Sequence, residues 1–257
     1  MFTRAIVLAV SCSALAFGCG ADGTDETQEI IDNLVQAGYP ANDIMVVDGI
    51  VYVGRDAAVN LQASREMLQV DDSVSDEQYR TTNLVGTAVT TICVNGAAFT
   101  GKFSQALDLA IANYNIGLRF TMRRTSGSTT GCSATITART TSGTGGSSGF
   151  PSGGRPFNTI NIGTGLQSST FSVDTVEHVI THEIGHTVGF RHSDFFNRSI
   201  SCGGAATNEG QAGVGAILIP GTPSGATVGG SIMNSCFRTS ETGEFTGSDV
   251  TALNALY

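Results

Sequence analysis

The run His182-Glu-Ile-Gly-His-Thr-Val-Gly-Phe-Arg-His192 restricts this chain more than any other stretch. In a helix, His182 and His186 stand one turn apart and point their imidazoles the same way. Two neutral imidazole nitrogens then reach roughly 2.0–2.1 Å from one Zn²⁺. Glu183 lies beside that face, close enough to reach a water at the metal without being a ligand. Gly189 tolerates a positive φ, so the chain can leave the helix sharply there and bring His192 back as a third ligand. The fourth position stays open for water and substrate, which marks a catalytic rather than a structural site. The chain has 4 histidines, and a random match to all five fixed positions is on the order of one in 10⁵ or rarer. His178, one turn earlier, has no such pattern around it and reads as a helix-face histidine.

The charge is lopsided. Residues 1–85 hold 4 Lys and Arg against 13 Asp and Glu, whereas residues 86–257 hold 9 of each. Neither part is basic enough to suggest nucleic acid as a partner. At the start, Arg4 followed by an apolar run from Ala5 to Phe17 reads as a signal peptide over 1–18. That run is too short to span a bilayer. Leu15 to Cys19 resembles a bacterial lipobox, with Ala16 where Leu is usual, so Cys19 is a candidate for lipidation. The alternatives are an envelope lipoprotein, touching membrane only through that anchor, and a freely secreted protein. With Cys12 removed and Cys19 committed to lipid, Cys93, Cys132, Cys202 and Cys236 remain, an even set suited to two disulfides. Four cysteines allow three pairings. Cys93–Cys132 and Cys202–Cys236 are preferred, the second pinning the Gly-rich segment after His192 onto the turn around Met233.

Along the chain, 19–85 reads as an acidic tether and pro-segment. It holds a polar stretch to Thr27, a helix over Glu29–Ala37, and a hairpin of residues 44–53 turning at Asp48-Gly49. Residues 86–257 read as the catalytic domain. Strand candidates are 88–94, 118–123, 134–140 and 159–162. A helix spans Phe103–Tyr114, the motif helix is capped by Asp174 or Ser172, and a last helix runs from Ser248 to Tyr257. Strands followed by helices suggest a mixed α+β sheet with helices packed on it.

The eleven-residue motif resembles that of the metzincin metallopeptidases, and its literal His182-Glu-Ile-Gly-His186 run, with His192-Ser-Asp194, closely resembles the bacterial dual-action HEIGH metallopeptidases. The resemblance covers roughly residues 87–257. It implies a zincin fold with a mixed, mostly parallel twisted sheet, the motif helix on the floor of a cleft, and a Met-turn at Met233 beneath the metal. It implies one catalytic Zn²⁺ held by His182, His186 and His192, with Glu183 as base. It also implies protein or peptide substrates paired along an edge strand near Ser147 to Pro151. Astacins and serralysins carry a Tyr two residues after the Met-turn methionine. Ser235 stands there in this chain, so no tyrosine ligand is expected, and the role of Asp194 stays open.

The function expected is an exported, monomeric zinc endopeptidase. A zincin-type hydrolase of a non-peptide substrate and a catalytically silent surface-binding protein are the rival readings. Latency is expected from the pro-segment. No cysteine lies between Gly20 and Ile92, so a carboxylate is the candidate to cap zinc, resembling the aspartate switch of astacins. Asp56, two residues after Gly54, is the first candidate, and Asp48 the second.

Overall fold

The computed structural model describes residues 22–69, 78–210, 216–223 and 225–257. The expected signal peptide and Cys19 lie outside the described residues. The polar stretch expected up to Thr27 is largely helical, because α1 begins at Asp22 (Asp22–Gln36). Acidic residues at 25 and 26 suit the positive end of a helix dipole, while Ile30 and Leu34, one turn apart, are buried. Strands β1 (Met45–Val47) and β2 (Ile50–Val53) form the expected hairpin. Its turn residues Asp48 and Gly49 both have positive φ, 51° and 79°, as a two-residue turn matched to strand twist requires. A short strand that the sequence reading does not contain, β3 (Ala57–Val59), lies antiparallel to β2. Asn60 caps the next helix, α2 (Leu61–Met67), by accepting from the Ala63 amide at 2.8 Å. Val51, Val53, Val59, Met67 and Leu34 close a small core that also takes in Phe150.

The remaining elements are β4 (Tyr79–Arg80), β5 (Thr91–Asn95), α3 (Gly101–Asn113), β6 (Thr121–Thr125), β7 (Ala134–Thr141), β8 (Gly146–Gly149) and β9 (Thr159–Gly163), then α4 (Val173–Thr187), α5 (Ser199–Cys202), β10 (Ile217–Leu218) and α6 (Gly247–Leu256). One eight-stranded sheet has the order β1-β2-β3-β8-β9-β7-β5-β6. From β9 to β6 its strands are parallel, and β8 runs antiparallel to β9. The link to the N-terminal strands is a parallel pairing of β3 with β8, Ala57 opposite Ser148 and Ala58 opposite Gly149. The sheet is therefore continuous across the boundary drawn at 85.

The sheet's larger core is built on alternation. Ala134, Ile136 and Ala138 of β7 and Ile160 and Ile162 of β9 are buried, every second residue as a pleated strand demands. Helix α3 buries Phe103, Ala106, Leu107, Ala110 and Ile111, one apolar stripe at helical spacing, and packs against α4. Disulfides join Cys93 to Cys132 and Cys202 to Cys236. The second ties α5, a helical turn within the Gly-rich segment after His192, to the segment after Met233.

Candidate active site

Helix α4 presents the motif. Of the two cap candidates, Ser172 fills the position, its Oγ accepting from the Thr175 amide at 3.0 Å. The helix ends in a paired reversal. The Gly189 amide bonds to the His186 carbonyl at 2.9 Å and the Phe190 amide to the Gly185 carbonyl at 3.0 Å, the arrangement favoured by glycine in the left-handed region. Gly189 has φ of 106°, and a Cβ there would lie 2.6 Å from the Asn83 carbonyl. Both facts require glycine. Three residues on, His192 returns to α4, and its Nε2 is 3.2 Å from Nε2 of His182.

Each histidine is fixed through its other nitrogen. Nδ1 of His182 is 2.9 Å from the Ile232 carbonyl, and Nδ1 of His186 is 2.8 Å from the Phe190 carbonyl. Nδ1 of His192 is 2.7 Å from Oε1 of Glu209. An acceptor opposite each Nδ1 holds a proton there and turns each Nε2 inward. These three nitrogens and the carboxylate of Asp56 form one cluster with ligand atoms within 4.8 Å of one another. Two nitrogens on one tetrahedral zinc stand about 3.3 Å apart, which the His182–His192 spacing matches. Nε2 of His186, Oδ1 of Asp56 and Oε2 of Glu183 are buried without a hydrogen-bond partner among the described residues. Buried polar atoms of this kind are costly unless something satisfies them, and a dication at the cluster satisfies the first two.

Burial pushes the imidazoles of His182 and His186 down, to about 4 and about 3. Burial acts the same way on His192, but the carboxylates of Asp56 and Glu209 outweigh it and raise it to about 10. For Asp56 burial works upward, and His192 prevails, holding the carboxyl well below the usual range. For Glu183, burial and then the charge of Asp56 push the carboxyl well up.

Asp56 sits 3.1 Å from Nε2 of His192 and 3.6 Å from Nε2 of His186. Asp48, the second candidate, is on the exposed hairpin tip and outside the cluster. His178 is buried and also outside it. Met233 packs beneath α4, where a Cβ on Gly185 would lie 2.5 Å from its Sδ. Asp194 accepts from the amide and hydroxyl of Ser235, at 2.9 and 2.7 Å, and from the hydroxyl of Ser201 at 2.5 Å. It thus anchors the Met233 turn to the chain that follows the third histidine. A cavity of about 180 Å³ adjoins Glu183 and His182, bounded by Gly146, Val179, Phe237 and Asp56.

Sequence reasoning missed Glu209 and Arg198. Arg198 donates to Glu209 and to the Gly54 carbonyl, so it joins the His192 side of the site to the turn that carries Asp56. One signal was available. Between His192 and Ser235 the chain has only two carboxylates, Asp194 and Glu209, the second standing alone in a Gly- and Ala-rich run.

Three inward-facing imidazoles, a carboxyl beside them and an adjoining cleft make the centre of a metal-dependent hydrolase. A model of the dual-action HEIGH metallo-peptidase family matches residues 51–257, and the chain belongs to that family. Among solved structures, myroilysin aligns with a TM-score of 0.39 and 15% identity, over 68% of this chain and 95% of that one. High choriolytic enzyme 1, a hatching enzyme zinc-protease from the medaka fish Oryzias latipes, aligns with a TM-score of 0.39 and 14% identity, over 68% and 92%. No curated protein matches the chain.

Proposed function

We propose that the chain is an exported zinc endopeptidase of the metzincin type, made as a latent precursor. The observation that carries this reading is the convergence of three Nε2 atoms, each with its Nδ1 engaged, beside the free carboxyl of Glu183. His182, His186 and His192 would hold the ion, and Met233 lies under the helix that bears two of them. When bound, zinc supplies the acidity that makes water nucleophilic near neutral pH and polarises the scissile carbonyl. With the Asp56 charge that raises it removed and a cation beside it, Glu183 ionises and takes a proton from the attacking water as the water oxygen bonds to the carbonyl carbon. It then returns that proton to the departing nitrogen as the C–N bond breaks. Proton transfer by a positioned side chain contributes typically about 10²–10⁴-fold.

The N-terminal segment supports latency. Strand β3 lies along β8, an edge that an extended peptide would otherwise extend, and Asp56 just before β3 faces the three histidines. Residues 19–85 are the proposed pro-segment, whose removal frees both the edge and the ligands. Export by the signal at 1–18, with lipid at Cys19, completes the proposal. The test is cleavage of a peptide library by processed protein, with and without a zinc chelator. Sequence-dependent internal cleavage that stops with the chelator and returns with zinc supports the reading. Processed, zinc-loaded protein that cleaves nothing would sink it.

A further inference from the structure

Resting on the reading of the three histidines as ligands, we infer that Glu209 is the positioning residue that sets the proton of His192, and that Arg191 and Arg198 hold Glu209 in place for that task. The three ligands are not oriented alike. His182 and His186 give their Nδ1 protons to backbone carbonyls, at 2.9 and 2.8 Å, acceptors fixed by the local chain path. His192 alone gives its proton to a charged side chain, Oε1 of Glu209 at 2.7 Å. That proton has a competitor, because Oδ2 of Asp56 stands 3.1 Å from the opposite nitrogen. Without Glu209, Asp56 is the acceptor that remains, and the proton moves to the nitrogen the metal needs.

The surroundings of Glu209 fit the task. It is 1% exposed, and a carboxylate buried this far persists only when paired. Arg198 donates to Oε1 and the Ser235 hydroxyl approaches the same oxygen at 3.3 Å, while Nη2 of Arg191 lies 3.7 Å from Oε2. Arg191 is itself braced, its guanidinium 4.6 Å from the ring centre of Tyr39. The side chain also limits how the N-terminal turn approaches. A Cβ at Gly54 would lie 3.0 Å from Oε2 of Glu209 and 3.3 Å from Nδ1 of His192. Partners of this kind on a ligand histidine are typically worth about 10–100-fold in metal affinity.

The experiment measures zinc affinity of the full-length chain by competition with a chromophoric chelator, for wild type, Glu209→Gln and Glu209→Asp. Glu209→Gln should weaken zinc by about 10–100-fold. Glu209→Asp keeps the charge for both arginines but falls short of Nδ1, so it should fold and still bind zinc more weakly than wild type. The Nδ1 proton of His192 in zinc-loaded wild type should resonate far downfield by NMR and move upfield in Glu209→Gln. A merely structural role would lower the melting temperature of each variant and leave the affinity of the folded chain unchanged. Variants within twofold of wild type, or an Nδ1 resonance of His192 that stays in place in Glu209→Gln, would overturn the role of Glu209 alone. A wild-type chain that binds no zinc would overturn the metal-site reading, and this inference with it.

Discussion

Asp56 Oδ2 and His192 Nε2 stand 3.1 Å apart, although 136 residues of sequence separate them. The contact depends on β3, since pairing with β8 fixes the chain immediately after Asp56. The Ser148 amide bonds to the Asp56 carbonyl at 2.9 Å, so the residue is held on both its backbone and its carboxylate. On the proposed latent reading, a group held this way is displaced before a substrate carbonyl approaches.

Asp56→Ala should therefore raise peptide hydrolysis by the full-length, unprocessed chain. One charge-assisted contact is worth about 1.5–3 kcal/mol, or about 10–100-fold in the fraction of open sites. The processed enzyme should be unaffected. The check is initial rate on a fluorogenic peptide, with gel and mass analysis showing the N-terminal segment intact. Equal latency in mutant and wild type would remove Asp56 from the mechanism.

Glu183→Ala and His186→Ala separate chemistry from metal binding. The first should keep about one zinc per chain and lose about 10²–10⁴-fold in rate. The second should lose both, since two imidazoles seldom hold a catalytic zinc. Metal content by atomic emission beside kcat/KM makes the distinction, and a Glu183→Ala rate above about a tenth of wild type would reject the general-base role.

How much of this site the sequence revealed depends on how far apart its parts lie. His182, Glu183, His186, Gly189 and His192 fall within eleven residues, and helical period and glycine stereochemistry arrange them locally. Asp56 was reachable only through the resemblance to the aspartate switch of astacins, taken with the lack of a cysteine and the nearby Gly54. Glu209 was not, because its place beside His192 is set by the path of the loop through α5 and the Cys202–Cys236 link, which no local period encodes. The fold divides the same way. The motif helix, α3 and the alternating strands β7 and β9 were legible. Strand β3, three residues of Ala-Ala-Val, is defined by its partners rather than by its own pattern.

Glu177 gives the fold a pH dependence of its own. It is buried on α4, accepts from Nδ2 of Asn113 at 3.0 Å, and its carboxyl is pushed up to about 7. Burial is the main cause, with Glu244 and Asp174 adding to it, against the bond from Asn113. A carboxyl raised on folding binds its proton more tightly in the folded than in the unfolded chain. Stability therefore falls as pH rises from about 4.5 towards 7 and levels off above that. Glu177→Gln keeps the acceptor for Asn113 and removes the charge, so it should stabilise the chain by about 1–3 kcal/mol at pH 8 and have little effect at pH 4.5. Melting curves at both pH values check this, at about 2–4 °C per kcal/mol for a chain of this size. An equal shift at both would exclude the protonation origin.

Gly146, in β8, tests whether room for Glu183 is built into the sheet edge. A Cβ at 146 would lie 2.3 Å from Oε1 and 2.6 Å from Cγ of Glu183, far inside contact distance. Its backbone is ordinary extended chain, so Gly146→Ala has little conformational cost, and only the contact changes. The same position pairs with Ile162 of β9, which keeps β8 from backing away without breaking sheet hydrogen bonds. The displaced group should then be the Glu183 carboxyl. Because the three histidines are held by Ile232, Phe190 and Glu209 rather than by Glu183, metal binding should survive. Gly146→Ala is expected to bind zinc as wild type does, to melt within a few degrees of it, and to lose at least about tenfold in kcat as the base leaves its position. Zinc lost together with activity would mean that β8 had moved and carried the ligand helix with it, contrary to this account.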